Sequence, residues 1–191
     1  MVVWFGSKAG QSLGGLLALQ LAADAPDLVR GAVLIDPTPA NAPRVLRSLG
    51  PATRALAGLS TLPLVGRLAG AVVAAGSRRE VRGWDLGPEQ QAALARVVAD
   101  PIPPLADIVR TLPDDAAGLW ARVQRSGLPG LRLEVLTADR KPTHPVRLAH
   151  EELARAADGS CRSWPRVTHV MHLQVPDDIG AVVLDVVAGL R

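Results

Sequence analysis

The pentapeptide Gly10-Gln11-Ser12-Leu13-Gly14 is the stretch of this sequence best suited to chemistry. In a G-x-S-x-G pattern a strand turns abruptly into a helix with serine at the apex, so that the hydroxyl stands clear of the sheet as a nucleophile. The serine must hold a strained backbone there, and side chains two residues to either side would collide across the turn, which calls for glycine at both flanks. Leu13 follows the serine, so its backbone N–H would point at an oxyanion formed on an attacked carbonyl, aided by the positive end of the helix dipole.

The elements that must position these groups follow from hydropathy and breakers. Ser12 to Ala23 reads as a helix of small and apolar residues stopped by Asp24-Ala25-Pro26. Gly31 to Ile35 (GAVLI) is a short apolar run suited to a buried parallel strand, and Pro37 and Pro39 forbid further pairing, which leaves Asp36 at the strand's carboxyl end. From Ala40 to about Pro129 helical segments alternate with breakers, Pro113 among them, and no strand pattern occurs. Pro88 to Ala99, Leu105 to Leu112 and Ala116 to Ser126 have helical apolar spacing. Strand pattern returns at Leu131 to Thr137, followed by a helix from Val146 to about Ala157, a short strand near Cys161 to Val167 and a closing helix from Pro176 to Leu190. The class is α/β: a mostly parallel sheet of about four strands with an all-helical cap. The core would comprise residues 1–39 and 130–191 and the cap 40–129, with chemistry at the strands' carboxyl ends.

The run GQSLGGLLALQLAADAPDLVRGAVLIDPTP, with LEVLTADRKP and THVMHLQVPDDI later in the chain, resembles the α/β-hydrolase superfamily from its nucleophile strand onward. The resemblance covers nearly the whole chain except the cap. It implies that Ser12 is the nucleophile and that His169, in Thr168-His169-Val170-Met171-His172, is the catalytic base, with His172 as a neighbour. His144 and His150 are expected on the surface. The acid that orients the histidine commonly follows the seventh strand, but Ala138-Asp139-Arg140-Lys141-Pro142 puts Lys141 in its place. Some branches carry the acid at the end of the sixth strand, where Asp36 stands. Asp36 is the preferred candidate and Asp139 the alternative, and a strand-end carboxylate capping its own turn is the plain competing account of Asp36. A serine nucleophile disfavours the aspartate-ester chemistry of haloalkane dehalogenases and epoxide hydrolases. The implied function is hydrolysis of an apolar ester or acyl small molecule through an acyl-enzyme on Ser12, under a lid formed by the helical insertion.

Composition narrows the alternatives. The 191 residues are 48% hydrophobic, enough for one domain with a sizeable core. The net charge of +3 arises from 21 basic against 18 acidic residues without a long basic cluster, so nucleic acid is not expected as a partner. A lone Cys161 gives no internal disulfide and no thiolate zinc site, which fits a reducing cytoplasm. No cofactor and no metal are expected. The apolar stretch Ala55 to Ser77 is broken by Pro63 and three internal glycines, so stable membrane insertion is not expected either.

Two departures from the family pattern bear on activity. Ser12 lies close to the start, whereas the family's nucleophile strand is the fifth of about eight, so the preceding half and its oxyanion donor are expected to be absent. The nucleophile strand would then present a bare edge open to self-association. Gly6-Ser7-Lys8-Ala9 also replaces the apolar strand expected before the elbow, and a misassigned start or frame change would explain both features. The competing function is therefore a truncated, catalytically silent α/β-hydrolase-like fragment. A third reading is an interaction module using residues 55–77.

Overall fold

The computed structural model describes residues 2–4, 6–47, 75–76, 79, 81–92 and 105–190, with side chains from 6 onward except in 105–110. Strand β1 (Val2–Trp4) leads to β2 (Ser7–Gln11), helix α1 (Leu13–Asp24) and β3 (Gly31–Ile35). After the long helix α2 (Leu105–Ser126) come β4 (Arg132–Thr137), α3 (Pro145–Ala156) and β5 (Ser160–Ser163). The short α4 (Met171–Gln174) and the closing α5 (Pro176–Ala188) complete the chain.

The sheet runs β1-β2-β3-β4-β5 in space. Strands β2 to β5 are parallel, the four expected, and β1 pairs antiparallel to β2 with Val2 opposite Ala9. The nucleophile strand is therefore not a bare edge, because β1 takes up its outer backbone groups. Nor is the Ser7–Gln11 segment damaged. Ladder pairing uses the backbone alone, so Ser7 and Lys8 pair with Gly31 and Ala32 as well as an apolar pair would.

The central strand β3 is buried on both faces along its whole length, and β4 is buried from Leu133 to Thr137. On β3, Ala32 and Leu34 join Leu16, Leu19 and Ala22 of α1 and Leu153 and Ala154 of α3, while Val33 and Ile35 turn to Val182 and Val186 of α5. That alternation makes three layers of a continuous apolar run. A fully buried leucine such as Leu34 or Leu19 contributes about 1.5–3 kcal/mol, so the two helical layers rest on a handful of such contacts.

Helix α2 departs from the expected break at Pro113, which lies inside one continuous helix. Ala116, Leu119 and Val123 of this helix are buried in the α1 cluster. At about 1.5–3 kcal/mol for each larger side chain, that burial matches or exceeds the ~3 kcal/mol penalty of an internal proline. Asp24 at the end of α1 also accepts from Arg122, at 2.5 Å. Residues 88–92 are helical, the remainder of Pro88 to Ala99 lies outside the described residues, and so does nearly all of Ala55 to Ser77. The last strand is shorter than expected, ending at Ser163 before Trp164-Pro165. No helix among the described residues is long and apolar enough to cross a membrane.

Candidate active site

Parallel register sets the site's layout. Gln11, Ile35 and Leu136 form one row across β2, β3 and β4, so the residues that follow them emerge along one edge of the sheet. The exits are themselves ladder-bonded: Ser12 N donates to Ile35 O at 3.0 Å and Asp36 N to Leu136 O at 2.6 Å. Thr38 N then donates to Ser12 O at 3.0 Å, closing the loop after β3 over the elbow.

Ser12 has φ 53° and ψ −120°, a left-handed conformation that a non-glycine residue adopts at about 1–3 kcal/mol. Asp36, with φ 40°, is strained in the same sense. Two strained residues at adjacent strand ends show where the fold diverts stability into geometry. The turn is as tight as the motif requires on one side only. A Cβ on Gly10 would stand 2.2 Å from the carbonyl oxygen of Gly14, whereas one on Gly14 meets nothing within 4 Å. The second steric demand falls instead on Gly15, whose Cβ would come within 2.8 Å of the Pro37 side chain. The expectation that Gly14 must be glycine is thus corrected, because its missing Cβ points away from the turn.

Helix α1 begins at Leu13 with no side-chain cap and no acidic residue in its first turn. The Leu13 N–H is among the helical donors that have no partner within the helix, and the positive end of the helix is left uncompensated at the apex. The Ser12 side chain makes no capping bond.

Asp36 is 1% exposed and fully engaged. Its Oδ2 accepts from His169 Nδ1 at 2.6 Å and from Arg140 Nη2 at 2.6 Å, and its Oδ1 accepts from Ala138 N at 3.1 Å and from Arg140 Nη1. Burial alone would raise the Asp36 carboxyl. The hydrogen bonds from Arg140 and His169, the Arg140 charge and the Ala138 N–H outweigh it and hold the group well below the usual carboxylate range. Asp139 lies elsewhere: its Oδ2 accepts from Arg166 N at 2.7 Å and its own N–H donates to Val167 O, so it fastens the loop that leads to His169.

The His169 ring is 40% exposed beyond its bond to Asp36, and its carbonyl accepts from Gln11 Nε2 at 2.9 Å. Gln11 thereby ties the histidine loop to the residue before Ser12. Gln174 steadies the same loop from α4 by accepting from Thr168 N at 2.8 Å. The structure thus joins Asp36 to His169 directly and joins Ser12 to both through backbone and Gln11. Among the described residues, no hydrogen bond links the Ser12 hydroxyl to the ring.

His150 corrects the expectation that it lies on the surface, since it is 0% exposed. It sits on the inner face of α3, with Nε2 2.8 Å from Pro37 O and Nδ1 2.9 Å from Thr137 Oγ1. A carbonyl can only accept, so Nε2 carries the proton and Nδ1 accepts from the threonine. Burial pushes His150 below its ordinary value, which keeps it neutral. His144 is exposed and its Nδ1 accepts from Val146 N at the start of α3. His172 is lowered by burial and by the nearby His169, and its Nδ1 is buried without a partner among the described residues. Burial and the Glu151 carboxylate push the Cys161 thiol up to about 11, too high for a competing nucleophile at neutral pH. Among the described residues, no group of three or more His, Cys, Asp or Glu side chains could hold a metal ion.

Sequence reasoning missed Arg140, Gln11, Thr137 and His150 as parts of this site. Only Arg140 carried a local signal, its place beside the expected acid.

A doubly wound parallel sheet with a strained strand-to-helix elbow at its carboxyl edge defines the class of fold. The chain belongs to the alpha/beta hydrolase family, whose model matches residues 9–182. Among solved structures it is similar to MenH from S. aureus, at 16% identity and a TM-score of 0.64, covering 96% of this chain and 68% of that one. It is also similar to a protein proposed to be an epoxide hydrolase from Pseudomonas aeruginosa, at 20% identity and a TM-score of 0.66, over 95% of this chain and 64% of that one. A third likeness is to a protein proposed to be the non-heme bromoperoxidase BpoC from Mycobacterium tuberculosis H37Rv, at 19% identity and a TM-score of 0.53, over 97% and 67% of the respective chains. At these identities the likeness concerns the fold. No curated protein matches the chain.

Proposed function

We propose that the chain is a serine hydrolase that cleaves a carboxylic ester or related acyl compound through an acyl-enzyme on Ser12. His169 takes the Ser12 proton and returns it to the leaving group, Asp36 orients and stabilises the imidazolium, and the Leu13 N–H receives the oxyanion. The observation that carries this reading is the 2.6 Å bond from His169 Nδ1 to Asp36, made at the sheet edge where the strained Ser12 elbow emerges. With Nδ1 committed to the carboxylate, Nε2 is the nitrogen left for the serine proton. The absence of a direct serine–imidazole bond fits a free enzyme in which catalytic contacts tighten on substrate binding.

The proposal includes a lid from the insertion 40–129, anchored to the core where Ala116, Leu119 and Val123 of α2 pack against α1, and an apolar small-molecule substrate. It also retains a cytoplasmic location, on the ground of the lone Cys161. Self-association through a bare strand edge is not retained, because β1 pairs with β2 along that edge. A second reading, a catalytically silent member of the family, is favoured by one observation, the Ser12 hydroxyl without a bond to the ring. Treatment of the purified chain with a fluorophosphonate probe separates the two. Labelling of the wild type that disappears in Ser12→Ala supports catalysis, and no labelling of a folded sample supports the silent alternative.

A further inference from the structure

Asp36 is held from two sides, by the His169 ring and by the Arg140 guanidinium. An ionised carboxylate has roughly four lone-pair sites, and here all four are taken: one by His169, one by the Ala138 N–H and two by the fork of Arg140. Arg140 is itself held. Its Nη1 donates to Thr137 Oγ1 at 3.3 Å, that hydroxyl donates to His150 Nδ1 at 2.9 Å, and the His150 Nε2–H donates to Pro37 O at 2.8 Å. Arg147 Nη1 fixes the backbone of the same loop by donating to Arg140 O at 3.0 Å. These bonds run in sequence from Arg140 through Thr137 and His150 to Pro37 and hold the guanidinium against the carboxylate.

We infer that Arg140 is a positioning residue of this site: its two-pronged grip fixes the Asp36 carboxylate so that one oxygen faces the His169 ring. The inference deepens the serine-hydrolase reading and rests on it. Bidentate geometry is the reason for arginine at this place, since the flat fork sets the plane of the carboxylate where a lysine would supply charge alone. The sequence position also has a physical sense. Residue 140 follows β4, the strand next to β3, so its side chain crosses to the β3 exit without leaving the sheet edge.

The grip has a consequence for pH. The charged and titratable groups facing Asp36 are Arg140 from the loop after β4, His150 from α3 at 3.9 Å and His169 from the loop before α4, while α1 is uncharged from Leu13 to Ala23. His150 is kept neutral by burial, so Arg140 is the permanent cation that offsets the desolvation of Asp36. Without it, burial is opposed only by His169 and one backbone N–H, and the carboxyl protonates at higher pH.

The test uses the full chain with Arg140→Ala and Arg140→Lys, reading the rate of Ser12 labelling by a fluorophosphonate against pH and the carboxyl ¹³C shift of Asp36 against pH by NMR. Arg140→Ala is expected to lower the labelling rate on the order of 10- to 100-fold and to move the acid limb and the Asp36 titration upward in pH. Arg140→Lys is expected to keep the acid limb near that of the wild type and to lose about tenfold in rate, because charge returns without the fork. Rates and Asp36 titrations that superimpose on the wild type in Arg140→Ala would overturn the inference. Should the alanine variant fail to fold, a wild-type rate in Arg140→Lys would overturn it instead. A wild type that does not label defeats the hydrolase reading, and the Asp36 titration still judges the grip by itself.

Discussion

His169 Nδ1 lies 2.6 Å from Asp36 Oδ2 across 133 residues of sequence, whereas Asp139, only 30 residues before the histidine, directs its carboxylate to the Arg166 backbone. Proximity in sequence and proximity in the fold point to different aspartates. Asp36→Asn should therefore cut the Ser12 labelling rate by roughly 10³- to 10⁴-fold, the scale expected when the orienting carboxylate becomes a neutral amide. It should also lower stability by about 3 kcal/mol, since Arg140 loses its counter-charge. Asp139→Asn should leave the rate within a few-fold of the wild type. Paired labelling assays and urea melts check both, and a larger loss in the Asp139 variant would reassign the acid.

The elbow's two flanking glycines should behave differently. Gly10→Ala forces a methyl to 2.2 Å from a backbone carbonyl that cannot move without opening the turn, so it should cost about 3 kcal/mol or more and abolish labelling. Gly14→Ala adds a methyl in open space at the start of α1 and should be neutral or stabilising by up to ~1 kcal/mol. Thermal or urea unfolding of the two variants decides the point. Equal destabilisation of both would contradict the geometry of the turn.

Acid should weaken the fold in two stages. The folded values of His150 and His172 are lowered from 6.5, so as pH falls below 6.5 the unfolded chain binds protons that the folded chain refuses, and stability drops. Asp36 is lowered from 3.8, so its contribution is intact above that pH and is lost only as pH falls further. His150→Gln removes one of the two histidine protons. It should flatten the first stage by up to ~1.4 kcal/mol per pH unit while leaving the second unchanged. Urea titrations from pH 7.5 to 3 provide the measurement, and parallel curves for wild type and variant would show that His150 titrates normally.

The local features of this protein were written in its sequence. Gly10 and Ser12 mark a sharp reversal because a side chain at position 10 would strike the Gly14 carbonyl, and the apolar run Gly31–Ile35 marks a strand buried on both faces. The helices over 13–24, 145–156 and 176–188 follow from apolar spacing and proline stops, and the α/β class follows from their alternation. Propensity was a poorer guide where packing opposed it, as at Pro113, and where backbone pairing ignored side-chain polarity, as at Ser7 and Lys8.

Which groups meet was settled only by the tertiary structure. Asp36 and Asp139 both follow strands and look alike in sequence, and the parallel register of Ile35 with Leu136 determines which carboxylate turns toward His169 and which toward Arg166. The same register delivers Arg140 to Asp36 and buries His150 beneath Pro37. The physical reason is one of range. Turn sterics and hydropathic period act within a few residues and leave a mark in the order of the chain, whereas contacts spanning a hundred residues depend on how strands align, and alignment is recorded in no single segment.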